Sequence, residues 1–312
     1  MEQSRTITQR SASNLALAFI MLPREKRDAM SALYAFCRAV DDVADEESHP
    51  VEQRRAALAE WRADIRRACD GGIPVMPTNR EFQPVIQKFK LPFALFDELI
   101  QGCEMDLEKT RYANCDELEL YCYRVASVVG LLSIEIFGYE RNAAFIRQDR
   151  QASAPLPDKS GDPSDIRDYA IALGKALQFT NILRDIGNDA QRGRLYIPQT
   201  ELDRFKVKPD EILRGEYSDR FRALAKDFAR RAREFYNEAQ RKLPAENRQS
   251  MVAAELMGAV YWRLLLKLEQ ADFRVLSPEP VRLSKPHKLA LILRSWIKHA
   301  LGSTTPGYGC PS

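Results

Sequence analysis

Two rows of polar side chains, set in otherwise apolar stretches, carry the chemistry this sequence offers. In ALYAFCRAVDDVAD, Tyr34, Arg38, Asp41 and Asp45 follow at steps of four, three and four residues, so on a helix they share one face. In GKALQFTNILRDIGNDAQRGRLYIP, Gln178, Asn181, Asp185 and Asp189 follow at steps of three, four and four. Leu33, Phe36, Val40 and Val43 surround the first row, and Leu173, Leu177, Ile182 and Ile186 the second. A carboxylate on a helix that packs on several sides is costly to desolvate unless a cation joins it. Facing each other across a core, the rows would form a nest of oxygen ligands. Hard Mg²⁺ selects that donor set together with phosphate oxygens and water. Arg38, Arg184 and Arg194 would then grip diphosphate oxygens through charge-assisted hydrogen bonds. Taken alone, an acidic pair at i, i+4 more often marks a solvated face, and the chain has 44 acidic residues. Two such rows, each accompanied by an arginine and by an amide or phenol, favour the functional reading.

The elements that must position these rows are helices. Apolar spacing near 3.6 residues dominates, and strand-like alternation is nearly absent, which predicts an all-α fold. Helices are expected over Pro23–Asp45, Val51–Cys69, Pro92–Lys109, Asp116–Phe137, Ser164–Gly187, Ser218–Lys242, Asn247–Gln270 and Lys285–Leu301. Pro23 at a start and Gly138 just past an end match terminal preferences. The stretch Arg141–Pro163, with Pro155, Pro157, Gly161 and Pro163, reads as a loop. Because the chemistry needs helices from both sides of it, the 312 residues are expected to form one domain.

Composition narrows the class. Hydrophobic residues at 45% and a net charge of +3 describe a globular chain and give no sign of a nucleic-acid partner. Six scattered cysteines suggest reduced thiols. Three dispersed histidines, His49, His287 and His299, suit neither a zinc site nor an essential catalytic role. The sequence shows no leader, and no uninterrupted apolar run reaches the roughly 18 residues of a membrane span. A cytoplasmic protein is expected.

Further stripes bear on a pocket. Tyr121, Val125, Val129 and Leu132 recur at helical spacing and would line a channel or pack in an ordinary core. Met257, Tyr261, Leu264 and Leu268 carry the same ambiguity. Tyr34 and Tyr261 would orient a diphosphate, or bond a backbone carbonyl. Asp106 in GCEMDL is either a supporting acid or a surface charge. Late in the chain, Arg282, Lys285, Lys288, Arg294 and Lys298 alternate with Leu289, Leu291, Ile292, Leu293 and Trp296. Such a helix would lie peripherally on the inner face of an anionic membrane, or dock on the bundle with its basic face wet. Arg282 would alternatively reach substrate at a cavity mouth.

At LP (Leu22, Pro23), YAFCRAVDDVAD from Tyr34, GCEMDL from Gly102, YCYRVASVVG from Tyr121, QFTNILRDIGND from Gln178 and RGRLYIP from Arg192, the chain resembles the squalene and phytoene synthase family. The resemblance implies a helical isoprenoid-synthase bundle with a central cavity and aspartate motifs on opposite walls. It implies Asp41, Asp45, Asn181, Asp185 and Asp189 as positions for two or three Mg²⁺ ions, and Tyr34, Arg38, Gln178, Arg184 and Tyr261 as substrate contacts. Three features depart from the family pattern: SASNL with Asn14 and Leu15, Asn188 where Glu is usual, and a long loop before the second motif. The late runs AELMGAVYWRLLLKLE and VRLSKPHKL look most like bacterial presqualene diphosphate synthases of hopanoid pathways. That likeness implies farnesyl diphosphate as substrate, no need for NADPH, and a downstream squalene-forming enzyme. Phytoene synthase, or a full squalene synthase using NADPH, is the alternative. Chain-elongating prenyltransferases and terpene cyclases share aspartate rows but not the FTNILRD and RGRLYIP context, and a non-catalytic scaffold would leave inward acids uncompensated.

Overall fold

A computed structural model describes residues 18–19, 22–138, 163–277, 281–284, 290–291, 293–294 and 307–309. The expected loop before residue 163, the SASNL segment and most of the C-terminal basic helix lie outside the described residues. The helices are α1 (Arg24–Asp45), α2 (Val51–Cys69), α3 (Pro77–Phe89), α4 (Phe93–Glu108), α5 (Cys115–Phe137), α6 (Pro163–Gln191), α7 (Gln199–Arg204), α8 (Pro209–Leu213), α9 (Asp219–Lys242) and α10 (Val252–Gln270). Among the described residues there is no strand, only one parallel bridge between Arg111 and Leu195. The all-α expectation holds.

Helix α3 is absent from the sequence expectation, because Pro77 and Pro84 punctuate it. Pro77 sits at the first helical position, where its missing N–H costs nothing. The interior Pro84 is tolerated because Phe82, Val85 and Ile86 bury against α1. Phe36, Phe82 and Phe96 meet at centroid distances of 5.3–5.9 Å, joining α1, α3 and α4. Helix α6 runs past the expected end at Gly187. A Cβ there would lie 2.5 Å from the carbonyl oxygen of Val275, so this glycine admits a neighbouring segment rather than stopping the helix.

Helix α6 is central, packing against α5, α9 and α10. Phe179 stacks on Phe228 of α9 at 4.8 Å. Its approach to α5 is close: a Cβ on Gly174 would lie 2.5 Å from Ser127 Cα, and Ser127 donates to the Ile171 carbonyl at 2.8 Å. Tyr123–Ser127 form a π-helical turn within α5. Helix α5 is, among the described residues, the one helix long and apolar enough to cross a membrane by length and composition. Arg124 and Glu135 interrupt its apolar sequence, and it packs against α4 and α6.

Candidate active site

One cavity of about 270 Å³ runs between α1, α5, α6 and α10. Met30, Tyr34 and Cys37 face it from α1, and Leu173, Leu177, Gln178 and Asn181 from α6. Ala253, Ala254, Met257 and Tyr261 of α10 complete the opposite wall. Helix direction orders these residues. Cys37, Gln178 and Asn181 stand near the aspartate rows, while Phe19, Phe137 and Tyr169 stand at the other end. The twelve residues from Tyr169 to Asn181 advance roughly 18 Å along α6, a slot far longer than wide.

Val125 and Val129 line the cavity as the periodicity suggests, joined by Ala126, Gly130 and Ser133. Tyr121 and Leu132, expected on the same stripe, do not. The π-helical turn at Tyr123–Ser127 rotates a stripe drawn at α-helical spacing, which turns Tyr121 away, whereas Leu132, in the regular helix beyond the turn with Val129, packs in the core. Tyr121 is turned into a tyrosine cluster, stacked on Tyr196 at 5.2 Å and near Tyr112 at 5.5 Å. Its hydroxyl donates to Asp106 Oδ2 at 3.0 Å, and Tyr196 donates to Oδ1 at 2.8 Å. Burial pushes Asp106 up to about 6, the two phenols opposing it. Asp106 is thus neither a surface charge nor a lone acid. Of the α10 stripe, Met257 and Tyr261 face the cavity, whereas Leu264 and Leu268 are core.

The two rows converge at the cavity's polar end. Arg38 donates to Asp41 Oδ2 at 3.0 Å and pairs with Asp42 at 2.6 Å. Arg184 donates both Nε and Nη2 to Asp185, and also interacts with Tyr261. Arg194 ties the rows together: it bonds Asp45 Oδ1 at 2.9 Å, and its charge lowers the pKa of both Asp41 and Asp189. A sharp turn delivers it, with Gly193 at φ +70° and Arg194 N–H bonding the Asp189 carbonyl at 2.9 Å. The following strap is pinned to residues 110–113 through Leu195, Gln199 and Thr200. That strap gives RGRLYIP its physical role: it places Arg194 and Tyr196 together. Sequence reasoning quoted the motif but gave Tyr196 no part, and no spacing rule could have paired it with Asp106.

Asp41 is raised to about 6 by burial and by Asp45, although Arg38 opposes this and half of its side-chain surface (49%) stays exposed. Burial and the Asp185 charge raise Asp189 to about 7. Asn181 donates to Gln178 at 3.4 Å, but its Oδ1 is buried without a hydrogen-bond partner. These are the marks of an acceptor cluster short of positive charge. Among the described residues no group of three His, Cys, Asp or Glu side chains is already gathered as a metal site. Asn188 is exposed, and Arg282, also exposed, pairs with neither row; its carbonyl accepts from Lys267 at 2.6 Å. The five described cysteines are free thiols.

Comparison with known proteins adds to this geometry. A family model described as squalene/phytoene synthase matches residues 8–287. The 15-cis-phytoene synthase of Synechococcus elongatus is 33% identical over 276 residues, covering 88% of this chain and 85% of the relative. Among solved structures, a dehydrosqualene synthase in complex with ligand superposes with a TM-score of 0.76 at 26% identity, covering 97% of this chain and 96% of that one. The squalene synthase HpnC from Alicyclobacillus acidocaldarius follows at 0.72 and 27%, covering 87% and 94%.

Proposed function

The chain belongs to the squalene/phytoene synthase family of prenyltransferases, and from that premise we propose that it joins two farnesyl diphosphates head to head into presqualene diphosphate. The observation that carries this reading is a long apolar cavity ending where two acidic rows meet around Arg194. We read the chain as one domain, since α1 and α5, before residue 139, share that cavity with α6 and α10 after it.

Asp41 and Asp45 of α1, with Asn181, Asp185 and Asp189 of α6, would hold Mg²⁺. The orphaned Asn181 Oδ1 and the raised carboxyls of Asp41 and Asp189 fit that role. Bound there, Mg²⁺ would neutralise the charge that develops on the departing diphosphate. Arg38, Arg184 and Arg194 would exchange their present carboxylate partners for diphosphate oxygens, which a planar guanidinium grips in the same bidentate geometry. The C1–O bond of one substrate breaks, and its electron pair leaves with the diphosphate. The double bond of the second substrate attacks the allylic cation, and loss of a proton closes the cyclopropane. The released diphosphate, held beside the cation, is the nearest base for that proton. Val125, Val129, Leu173 and Met257 keep water from the cation, while Tyr34 and Tyr261 offer their ring faces and hydroxyls at the polar end. Tyr121 and Tyr196, hydrogen-bonded to Asp106, form a proton-holding cluster next to Arg194.

A second reading has a specific observation in its favour. The Synechococcus elongatus relative is a 15-cis-phytoene synthase, so condensation of two C20 diphosphates is the competing activity. The squalene-type names of the two superposed structures support the C15 substrate. Incubation with farnesyl or geranylgeranyl diphosphate and Mg²⁺, with and without NADPH, decides. Presqualene diphosphate from the C15 substrate, unchanged by NADPH, is the expected product; phytoene as the sole product overturns the C15 assignment.

A further inference from the structure

Behind the apolar end of the cavity lies a second, separate construction. The short segment Gly307–Gly309 inserts Tyr308 into the bundle, leaving it 1% exposed. Its ring occupies a notch in α10. A Cβ on Gly258 would lie 2.5 Å from Tyr308 Cε1 and 3.2 Å from Leu173 Cδ1. Tyr236 of α9 packs against the ring at a centroid distance of 5.6 Å. The Tyr308 hydroxyl donates to Glu255 Oε1, and the Tyr169 hydroxyl donates to the same oxygen at 2.8 Å. Tyr169 and Leu173 are both cavity-lining residues of α6, and Glu255 follows directly on Ala253 and Ala254, which line the opposite wall. Gly309, at φ +77°, takes a conformation that side-chain-bearing residues rarely adopt. The segment is therefore shaped for this seat.

We propose that Tyr308 is a positioning residue for prenyl-chain selection: through Glu255 it fixes Tyr169, and from the Gly258 notch it backs Leu173, so the far wall keeps one shape and depth. The inference rests on the prenyl diphosphate reading above. Without the phenol, Glu255 loses one of its two donors and Tyr169 gains freedom to turn. Without the ring, Leu173 has an empty notch to move into, and the wall yields to a longer chain. A tail that only anchored the fold would cost stability and lower turnover of every substrate alike.

The test is the ratio of kcat/KM for the C20 and C15 diphosphates in wild type, Tyr308→Phe and Tyr308→Ala. Tyr308→Ala is expected to raise that ratio about tenfold, the scale on which hydrophobic pockets discriminate one or two chain carbons. Tyr308→Phe keeps the ring, secures folding, and is expected to raise the ratio by a smaller factor. A ratio unchanged in both Tyr308 variants, or equal losses for both substrates accompanied by a lower Tm, overturns the proposal. Wild-type turnover in the same assay separately tests the reading beneath it: a wild type inert toward both diphosphates sinks that reading, whereas an active wild type with unshifted variants sinks only this one.

Discussion

At the polar end of the cavity, carboxylates are held by arginines, whereas at the apolar end one carboxyl group is held by two phenols. Arg38, Arg184 and Arg194 satisfy Asp41, Asp185 and Asp45, the first pair about half exposed and the other two only partly so. The most open of them, Arg38 with Asp41, belongs to a class worth roughly 0–1 kcal/mol. Asp41, crowded by Asp45, and Asp189, crowded by Asp185, sit at raised pKa values of about 6 and about 7. At the far end, Tyr169 and Tyr308 both donate to Glu255, and all three side chains are packed into the bundle. The first arrangement is ready to be rearranged by an incoming ion and diphosphate; the second is built to stay as it is. On the proposals above, one end does the chemistry and the other sets what fits.

The largest effect should come from the polar end. Asp185→Asn and Asp41→Asn are each expected to lower turnover at least about a hundredfold, the scale of removing one stabilising group from a charge-developing transition state. Helical circular dichroism should be unchanged and Tm within a few degrees of wild type, because neither carboxylate holds the fold. Near-normal turnover at saturating Mg²⁺ would break the comparison by showing the rows to be ordinary ion pairs.

A medium effect concerns pH. In the folded chain Asp41 and Asp106 stand at about 6 and Asp189 at about 7, against an ordinary 3.8. The folded state therefore binds more protons than the unfolded state across that window, and stability falls as pH rises through it. Metal-free protein in chelator should melt lower at pH 8 than at pH 5 on account of these groups. Asp189→Asn removes its share, so its Tm should exceed wild type at pH 8 and converge with it at pH 5. Mg²⁺ with inorganic pyrophosphate should stabilise wild type more at pH 8, since ligands must be deprotonated. An Asp189→Asn variant that melts below wild type at pH 8 would refute the crowding of charge on which the polar end depends.

The two ends also differ in how far the sequence reveals them. The rows were legible because a helix converts steps of three and four residues into a shared face, and each row lies within a single helix. The apolar end is assembled from Tyr169, Glu255 and Tyr308, separated by 86 and 53 positions, and no periodicity links them. The same limit hid the Asp106 cluster, which needs a strap from beyond α6. Tyr121 failed for a local reason: the π-helical turn breaks the spacing that every stripe argument assumes. Helix α3 failed because two prolines outweighed the apolar face that tertiary packing rewards.

The smallest effect isolates side-chain direction from motif membership. Asn188 stands in the second motif, between Gly187 and Asp189, where the family pattern has Glu. It is nevertheless exposed, while Asp185 and Asp189 lie one turn apart on the inner face. Adjacent helical residues point about 100° apart, so a carboxylate at 188 projects away from the row that Asp189 joins. Asn188→Glu should therefore leave kcat and the Mg²⁺ requirement within about twofold of wild type, the effect of a screened surface charge. A fall in the Mg²⁺ concentration needed for half-maximal rate by tenfold or more would mean that position 188 reaches the ion. The polar end would then extend one residue beyond the face that helical spacing assigns to it.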